Sequence, residues 1–149
     1  MKSLVVALVL ILSSIANAKD LARSADQAAN DGDFYTALRL YRQLANKGDA
    51  RAQYKVGVMI QDANLKKAVK WLKSSAEKGY AAAQYMLGSM YENGRGVPQD
   101  QKEAERLYHL AAAQGFEEAE RKLGLKEKTG APTQSPAQSP TGPPSKAAD

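Results

Sequence analysis

Three glycines, Gly48, Gly79 and Gly115, each close a copy of one segment, and this internal repeat constrains the fold more than any other feature of the chain. Upstream of the glycines run Ala37-Leu38-Arg39-Leu40-Tyr41 with Ala45, Ala68-Val69-Lys70-Trp71-Leu72 with Ala76, and Ala104-Glu105-Arg106-Leu107-Tyr108 with Ala112. Downstream follow Ala52-Gln53-Tyr54 with Gly57, Ala83-Gln84-Tyr85 with Gly88, and Ala119-Glu120-Arg121 with Gly124. The closing glycines stand 31 and then 36 residues apart, a period at which supersecondary units stack instead of closing one globular core. Each unit of such a stack meets only its neighbours, which leaves extended surface for partners.

The third copy shows how one unit is built. Ala83, Leu87, Met90 and Tyr91 recur at three- and four-residue spacing and predict an amphipathic helix over Ala81 to Asn93. Asn93-Gly94-Arg95-Gly96-Val97-Pro98 breaks it. Asp100, with Glu103 three residues on, reads as a capping box that opens a second helix running to about Gln114. Gly115 ends that helix, because glycine takes the left-handed conformation without steric cost. Ala83, Gly88, Ala104 and Ala112 stand where antiparallel helices must approach closely, and Leu87, Tyr91, Leu107 and Tyr108 fill the space between.

The second copy predicts helices over Ala50 to about Asp62 and Leu65 to about Lys78, joined by a tight Asp62-Ala63-Asn64 turn. Gly57 to Ala68 spans 11 positions where Gly88 to Ala104 spans 16, so this connection is five residues shorter. The first copy keeps a second helix over Phe34 to Lys47, preceded by a loosely matched one over Leu21 to Asn30 and the turn Asn30-Asp31-Gly32-Asp33. Glu117 to Leu125 begins a fourth unit whose charged face suits a terminal cap. The expected fold is all-α, an α-α superhelix or solenoid of about three helix-turn-helix repeats with a C-terminal capping helix.

Both ends differ in composition from this array. Met1-Lys2-Ser3, the apolar run Leu4 to Leu12 and the small residues of Ala16-Asn17-Ala18 predict a secretory signal peptide cleaved after Ala18. Ser13, Ser14 and Asn17 interrupt the run before it reaches the roughly 20 residues of a spanning helix, so no stable membrane insertion is expected after cleavage. Thr129 to Asp149 carries all but one of the six prolines and almost no apolar residue larger than alanine. It is expected to be a disordered Pro/Ser-rich tail acting as a spacer, since it buries too little to offset its ordering entropy. The expected organisation is a signal peptide at 1–18, a repeat domain at 19–128 and the tail at 129–149. Within the domain the units fall at about 20–48, 49–79 and 80–115, with a cap at 116–128. With no cysteine, an exported chain must hold together by packing alone. The net charge of +5 is mildly basic, and export makes nucleic acid an improbable target.

The run from Ala81-Ala82-Ala83-Gln84-Tyr85-Met86-Leu87-Gly88 through Gly94-Arg95-Gly96-Val97-Pro98-Gln99-Asp100, completed by Ala104, Tyr108, Ala111-Ala112 and Gly115, resembles the Sel-one-like repeat, a relative of the tetratricopeptide repeat. The second copy resembles it too, with Trp71 at the aromatic position but without the Gly-rich loop. The resemblance covers about Ala22 to Leu125. It implies an α-solenoid with a concave face and a role as adaptor or scaffold between proteins. Some small exported members of this family look like immunity proteins that neutralise a toxic effector.

Little in the chain suggests catalysis. Gly94-Arg95-Gly96 follows a helix rather than a strand and lacks the further residues of a phosphate loop, so it reads as an interhelical turn. His109 is the only histidine. With no cysteine beside it, zinc sites of the usual composition are out of reach, and no nucleophile motif accompanies it. Glu103, Glu105, Glu117, Glu118 and Glu120 sit near helix starts, where carboxylates have an ordinary stabilising role. The chain is therefore expected to be no enzyme and to use no cofactor or metal; a cell-wall hydrolase is the distant alternative. Lys66, Lys67, Lys70 and Lys73, with Lys78 beyond them, form a basic patch that reads first as solvated surface, with an anionic envelope polymer as its possible ligand. First helices line the concave face in related solenoids, which makes Arg51, Tyr54, Lys55, Val58, Ala82, Tyr85, Met86 and Ser89 the candidate protein-binding residues. The expected function is an exported adaptor or scaffold of the bacterial periplasm or cell envelope, or secreted, that binds another protein. The alternatives are a periplasmic immunity protein and an envelope scaffold touching anionic polymer.

Overall fold

The computed structural model describes residues 17–125, and the greater part of the expected signal peptide, together with residues 126–149, lies outside that range. Among the described residues there are seven helices and no strand. The first, α1, is helical over residues 17–30 of the described chain, extending further upstream than the Leu21 start read from the sequence. It is followed by α2 (Phe34–Asn46), α3 (Ala50–Ile60), α4 (Leu65–Glu77), α5 (Ala81–Asn93), α6 (Gln101–Ala112) and the short α7 (Glu117–Lys122). From α2 onward, each helix packs chiefly on the helices before and after it in the chain. That nearest-neighbour pattern defines a solenoid.

The closing glycines do what the repeat requires of them. Gly48, Gly79 and Gly115 have φ of +93°, +84° and +78°, a region closed to most side chains. Their amides bind back to the carbonyls of Ala45, Ala76 and Ala112 at 3.0, 2.9 and 2.8 Å, satisfying acceptors that a helix end leaves orphaned. Side chains close the opposite ends. Asp33, Asp49, Asn64 and Asp100 each accept from the amide three residues on, a contact that stabilises a helix by about 1 kcal/mol.

The capping box at Asp100 forms only by half. Glu103 donates its amide to Asp100 at 3.1 Å, but its carboxylate grips Arg106 at 2.6 and 2.8 Å instead of reaching back. The Asp100 amide is already engaged with the Tyr91 carbonyl at 2.9 Å, so no donor is left for the reciprocal bond.

Close helix approach within a unit is achieved at Gly57 and Gly88. A Cβ at Gly57 would meet Leu72 Cγ at 2.8 Å, and one at Gly88 would meet Tyr108 Cε1 at 2.9 Å and the Ala104 carbonyl at 3.2 Å. The two glycines thus hold α3 against α4 and α5 against α6 at one template position. The core is correspondingly linear. It runs from Ala25, Tyr41, Val56 and Ile60, through Val69, Leu72, Met90 and Val97 and then Ala76, Leu87 and Leu107, to Ala111, Ala112 and Ala119.

Two buried glutamines tie successive units together. Gln53 and Gln84 donate Nε2 to the last-turn carbonyls of Ala45 and Ala76, both at 3.2 Å. Gln84 Oε1 accepts in turn from Gln114 at 2.8 Å. Gln53 Oε1 has no hydrogen-bond partner among the described residues, because Lys78 stands where the third copy has Gln114, one residue before the closing glycine. Its ammonium binds the Gly48 carbonyl at 2.7 Å instead.

Tyrosines add a second tie. The Tyr41 hydroxyl donates to Asp26 at 2.6 Å, and Arg51 grips the same carboxylate with two bonds of 3.0 Å. At the other end the Tyr108 hydroxyl donates to Glu92 at 2.9 Å, and Lys122 pairs with Glu92 at 2.8 Å. Each arrangement bridges both helices of one unit to the first helix of the next.

Candidate functional site

The first helices of successive units, α3, α5 and α7, border a groove whose cavity measures about 540 Å³. Its apolar floor is Tyr54, Ala82, Tyr85, Met86, Met90 and Phe116, and its polar rim is Gln61, Ser89, Asn93, Arg95 and Glu118. Tyr85 packs tilted on Phe116 and also on Tyr108, with ring centroids 5.4 Å apart in both pairs. Tyr54 packs in the same way on Tyr80 at 5.3 Å. Burial pushes the Tyr54 hydroxyl above its ordinary range, and the neighbouring Tyr80 and Glu118 add to the shift.

This aromatic floor has a local cause. The residue after the closing glycine is Asp49 in the first copy, Tyr80 in the second and Phe116 in the third. Asp49 caps α3 through its side chain, whereas Tyr80 and Phe116 provide no side-chain cap to α5 and α7. They place a ring on the tyrosine of the preceding first helix instead. Capping at this position is exchanged for aromatic packing where a tyrosine is available to receive it.

Five of the eight residues expected at the concave surface line the groove: Tyr54, Ala82, Tyr85, Met86 and Ser89. The other three do not. Arg51 is committed to Asp26, and Lys55 and Val58 are half-buried outside the groove lining. The sequence reading missed Phe116, Gln61, Met90, Asn93, Arg95 and Glu118. Phe116 carried a legible signal in its place after a closing glycine. Gln61 and Arg95 had none, since they reach the groove only through the paths of the two unequal connections.

The basic patch is smaller than expected. Lys66, Lys67 and Lys70 are exposed on α4. Lys73 turns away and lies over the Tyr91 ring at 5.5 Å, beside a second depression that contains the Glu103–Arg106 pair and Leu110. An ammonium over an aromatic face is held there by the ring quadrupole, and this removes Lys73 from the solvated cluster. His109 is exposed on α6. Gly94 and Gly96, with φ of +64° and +73°, form the interhelical turn that the sequence predicted. No group of three or more His, Asp or Glu side chains is placed to hold a metal among the described residues. No helix among them is long and apolar enough to cross a membrane.

The stacked helix pairs have counterparts in known proteins. The family model of the Sel1 repeat matches the chain three times, over residues 27–49, 50–80 and 81–116. A solved Sel1 repeat protein from Oxalobacter formigenes is 28% identical over 70% of this chain and 44% of its own, with a TM-score of 0.65. A protective antigen present in uropathogenic Escherichia coli strains, displaying an SLR fold, is 39% identical over 59% of this chain and 20% of its own, with a TM-score of 0.56. The chain thus spans less than half the length of either solved protein. No curated protein shows significant similarity to it. Sel1 repeats generally serve as non-enzymatic scaffolds that mediate protein–protein interaction. Three consecutive family matches on a stack of paired helices establish that this chain belongs to the Sel1 repeat family.

Proposed function

We propose that this protein is an exported interaction module of the bacterial periplasm or cell envelope, which holds a segment of another protein in the groove of α3, α5 and α7. The groove itself carries the reading. Tyrosine, methionine and phenylalanine are enriched at the cores of protein interfaces, with polar groups at the rim, and this groove has that arrangement. The mechanism is capture by a preformed surface: rings held by mutual packing lose little freedom on binding. Export is supported by the sequence of residues 1–18, and an Oxalobacter and an Escherichia relative support a bacterial source.

A photo-reactive amino acid placed at Met86 in the groove, and separately at Lys70 on α4, tests this in the living cell. A discrete crosslinked protein from Met86 and none from Lys70 is the expected result. Crosslinking from Lys70 alone would move the interface to the basic helix, and none from either would remove the partner. Intact mass of the cell-derived protein checks export, with Lys19 as the expected first residue.

The exposed Lys66, Lys67 and Lys70 support a second reading, contact with an anionic envelope polymer. Retention of the protein on isolated cell-wall sacculi, lost on charge reversal of Lys67 and Lys70, is what this reading requires. Retention that ignores those charges would refute it.

A further inference from the structure

The chain carries its own candidate for the groove. We infer that the proline-rich segment after residue 128 docks in cis on the aromatic floor formed by Tyr54, Tyr85 and Phe116. This goes beyond the partner-binding reading and does not depend on it, because it concerns only one chain and one groove.

The first observation is where the described chain stops. Phe116 and Glu118, at the start of α7, line the groove. Lys122, at the end of α7, pairs with Glu92 near the end of α5, so α7 runs in the same direction as α5. The last described residue, Leu125, therefore lies toward the groove end that holds Ser89, Asn93 and Gln61. The first proline of the segment, Pro132, follows six residues after Lys126. Those residues reach about 20 Å when extended, enough to turn back over the groove.

The second observation is chemical match. Residues 129–145 contain no charged side chain and carry Pro132, Pro136, Pro140, Pro143 and Pro144. Proline-rich chain favours the polyproline II conformation, which is already extended and leaves its carbonyls free to accept hydrogen bonds. Grooves that recognise it are lined with aromatic rings and carry donors between them. The Tyr54 and Tyr85 hydroxyls and the Gln61 side-chain amide make no hydrogen bond to another described residue, so these donors are available. Three helices at ordinary packing distances span about 20 Å, the length of some six or seven residues of polyproline II. The segment is long enough to fill that span.

The third consideration is concentration. A short linker presents the segment to the groove at an effective concentration of about millimolar. Weak stacking of prolines on tyrosine is then sufficient for substantial occupancy, and any protein partner must displace the segment.

The absence of cysteine makes the test direct. Ser139→Cys carries a nitroxide, and paramagnetic broadening is read on the amides of the same chain, labelled with nitrogen-15 and with its tail intact. Amides of Tyr85, Met86, Ser89 and Phe116 should lose most of their intensity, while those of Lys66 and Lys70 on α4 keep theirs. The loss should vanish in the same labelled chain carrying Ser89→Arg, which fills the groove, and equally in one carrying Pro140→Ala with Pro143→Ala, which leaves every helical residue untouched. Full intensity at the groove amides would show a plain spacer and overturn the inference. So would loss of equal size on α4. Broadening of the same size in a mixture of spin-labelled and separately isotope-labelled chains would also overturn it, by assigning the groove to a second copy's tail.

Discussion

Glu92→Gln should loosen the last helix while leaving the rest of the stack intact. Glu92 lies on α5, receives the Tyr108 hydroxyl from α6 at 2.9 Å and pairs with Lys122 of α7 at 2.8 Å. Helix α7 has six residues, far fewer than the roughly 12 that hold a helix in water unaided, so it persists through docking. A hydrogen bond to a charged acceptor contributes about 1.5–3 kcal/mol, and the neutral amide oxygen of glutamine retains about half of that, a loss felt between α5 and α6. The ion pair adds only about 0.5 kcal/mol, discounted for screening because the Lys122 side chain is 41% exposed. Only the ion pair is broken when α7 lifts away, because the Tyr108 bond joins α6 to α5, so the local opening equilibrium changes by about 0.5 kcal/mol, roughly twofold.

Three amides report that opening. Leu123, Gly124 and Leu125 donate to Ala119, Arg121 and Glu120 at 3.0, 3.1 and 2.8 Å. Their hydrogen exchange should quicken about twofold while buried amides of α3 and α4 stay unchanged, as expected of a locally opening unit. Unchanged exchange in α7 would refute the assigned role of Glu92. Equal acceleration everywhere would refute its local character.

The effect should also depend on pH in a fixed direction. Lys122 and the Tyr108 hydroxyl hold the Glu92 carboxyl below its ordinary value of 4.5. Its contribution is therefore complete above that value and is lost as pH falls through the lowered folded value. The native and Glu92→Gln proteins should converge in acid.

Gly88→Ala gains about 1 kcal/mol of helix propensity, but its Cβ would lie 2.9 Å from the Tyr108 ring, and overpacking of this kind costs about 1–3 kcal/mol. Urea unfolding should show a net loss, and a stabilised variant would mean that Tyr108 is free to shift. Gln84→Met breaks two bonds, to Ala76 and from Gln114, whereas Gln53→Met breaks one and removes an orphaned buried oxygen. The first should be less stable than the second by about 1–2 kcal/mol in the same assay, and equal costs would refute the bonding scheme. Ultraviolet titration should show three tyrosines ionising late, Tyr54 among them through burial first. Tyr41 is pushed up to about 12, and Tyr108 is raised too, in both cases by burial first and then by the adjacent carboxylate. Tyr41→Phe and Tyr108→Phe should each delete one late step. The stability that each neutral hydroxyl provides is present below the ordinary phenol range and is lost as pH rises through the raised value.

Much of this was legible before any coordinate. The closing glycines fixed where helices end, because a left-handed turn admits few other residues. Of the small residues read as points of close approach, Gly88 and Ala104 mark where α5 and α6 touch. Five groove residues followed from the rule that first helices face inward. The failures share a cause. Arg51 and Lys73 were read by helix face alone, but long charged side chains choose their partners across helices. The carboxylate of Asp26 and the ring of Tyr91 lie 25 and 18 residues away in sequence, where no local pattern reports them. Glu103 failed as a capping partner for a similar reason, since its target amide was already bound to Tyr91.

The sequence by itself determined the family and the all-α repeat architecture, because these rest on periodicity and on backbone chemistry local to each glycine and cap. Tertiary structure decided which side chains remain free to act. It drew Arg51 and Lys73 into contacts, set Phe116 and Tyr80 as rings on the preceding tyrosines, and brought Gln61, Arg95 and Glu118 to one rim. The physical reason is that a solenoid builds its surface from residues one repeat apart, so the groove is a property of stacking and is encoded in no single unit.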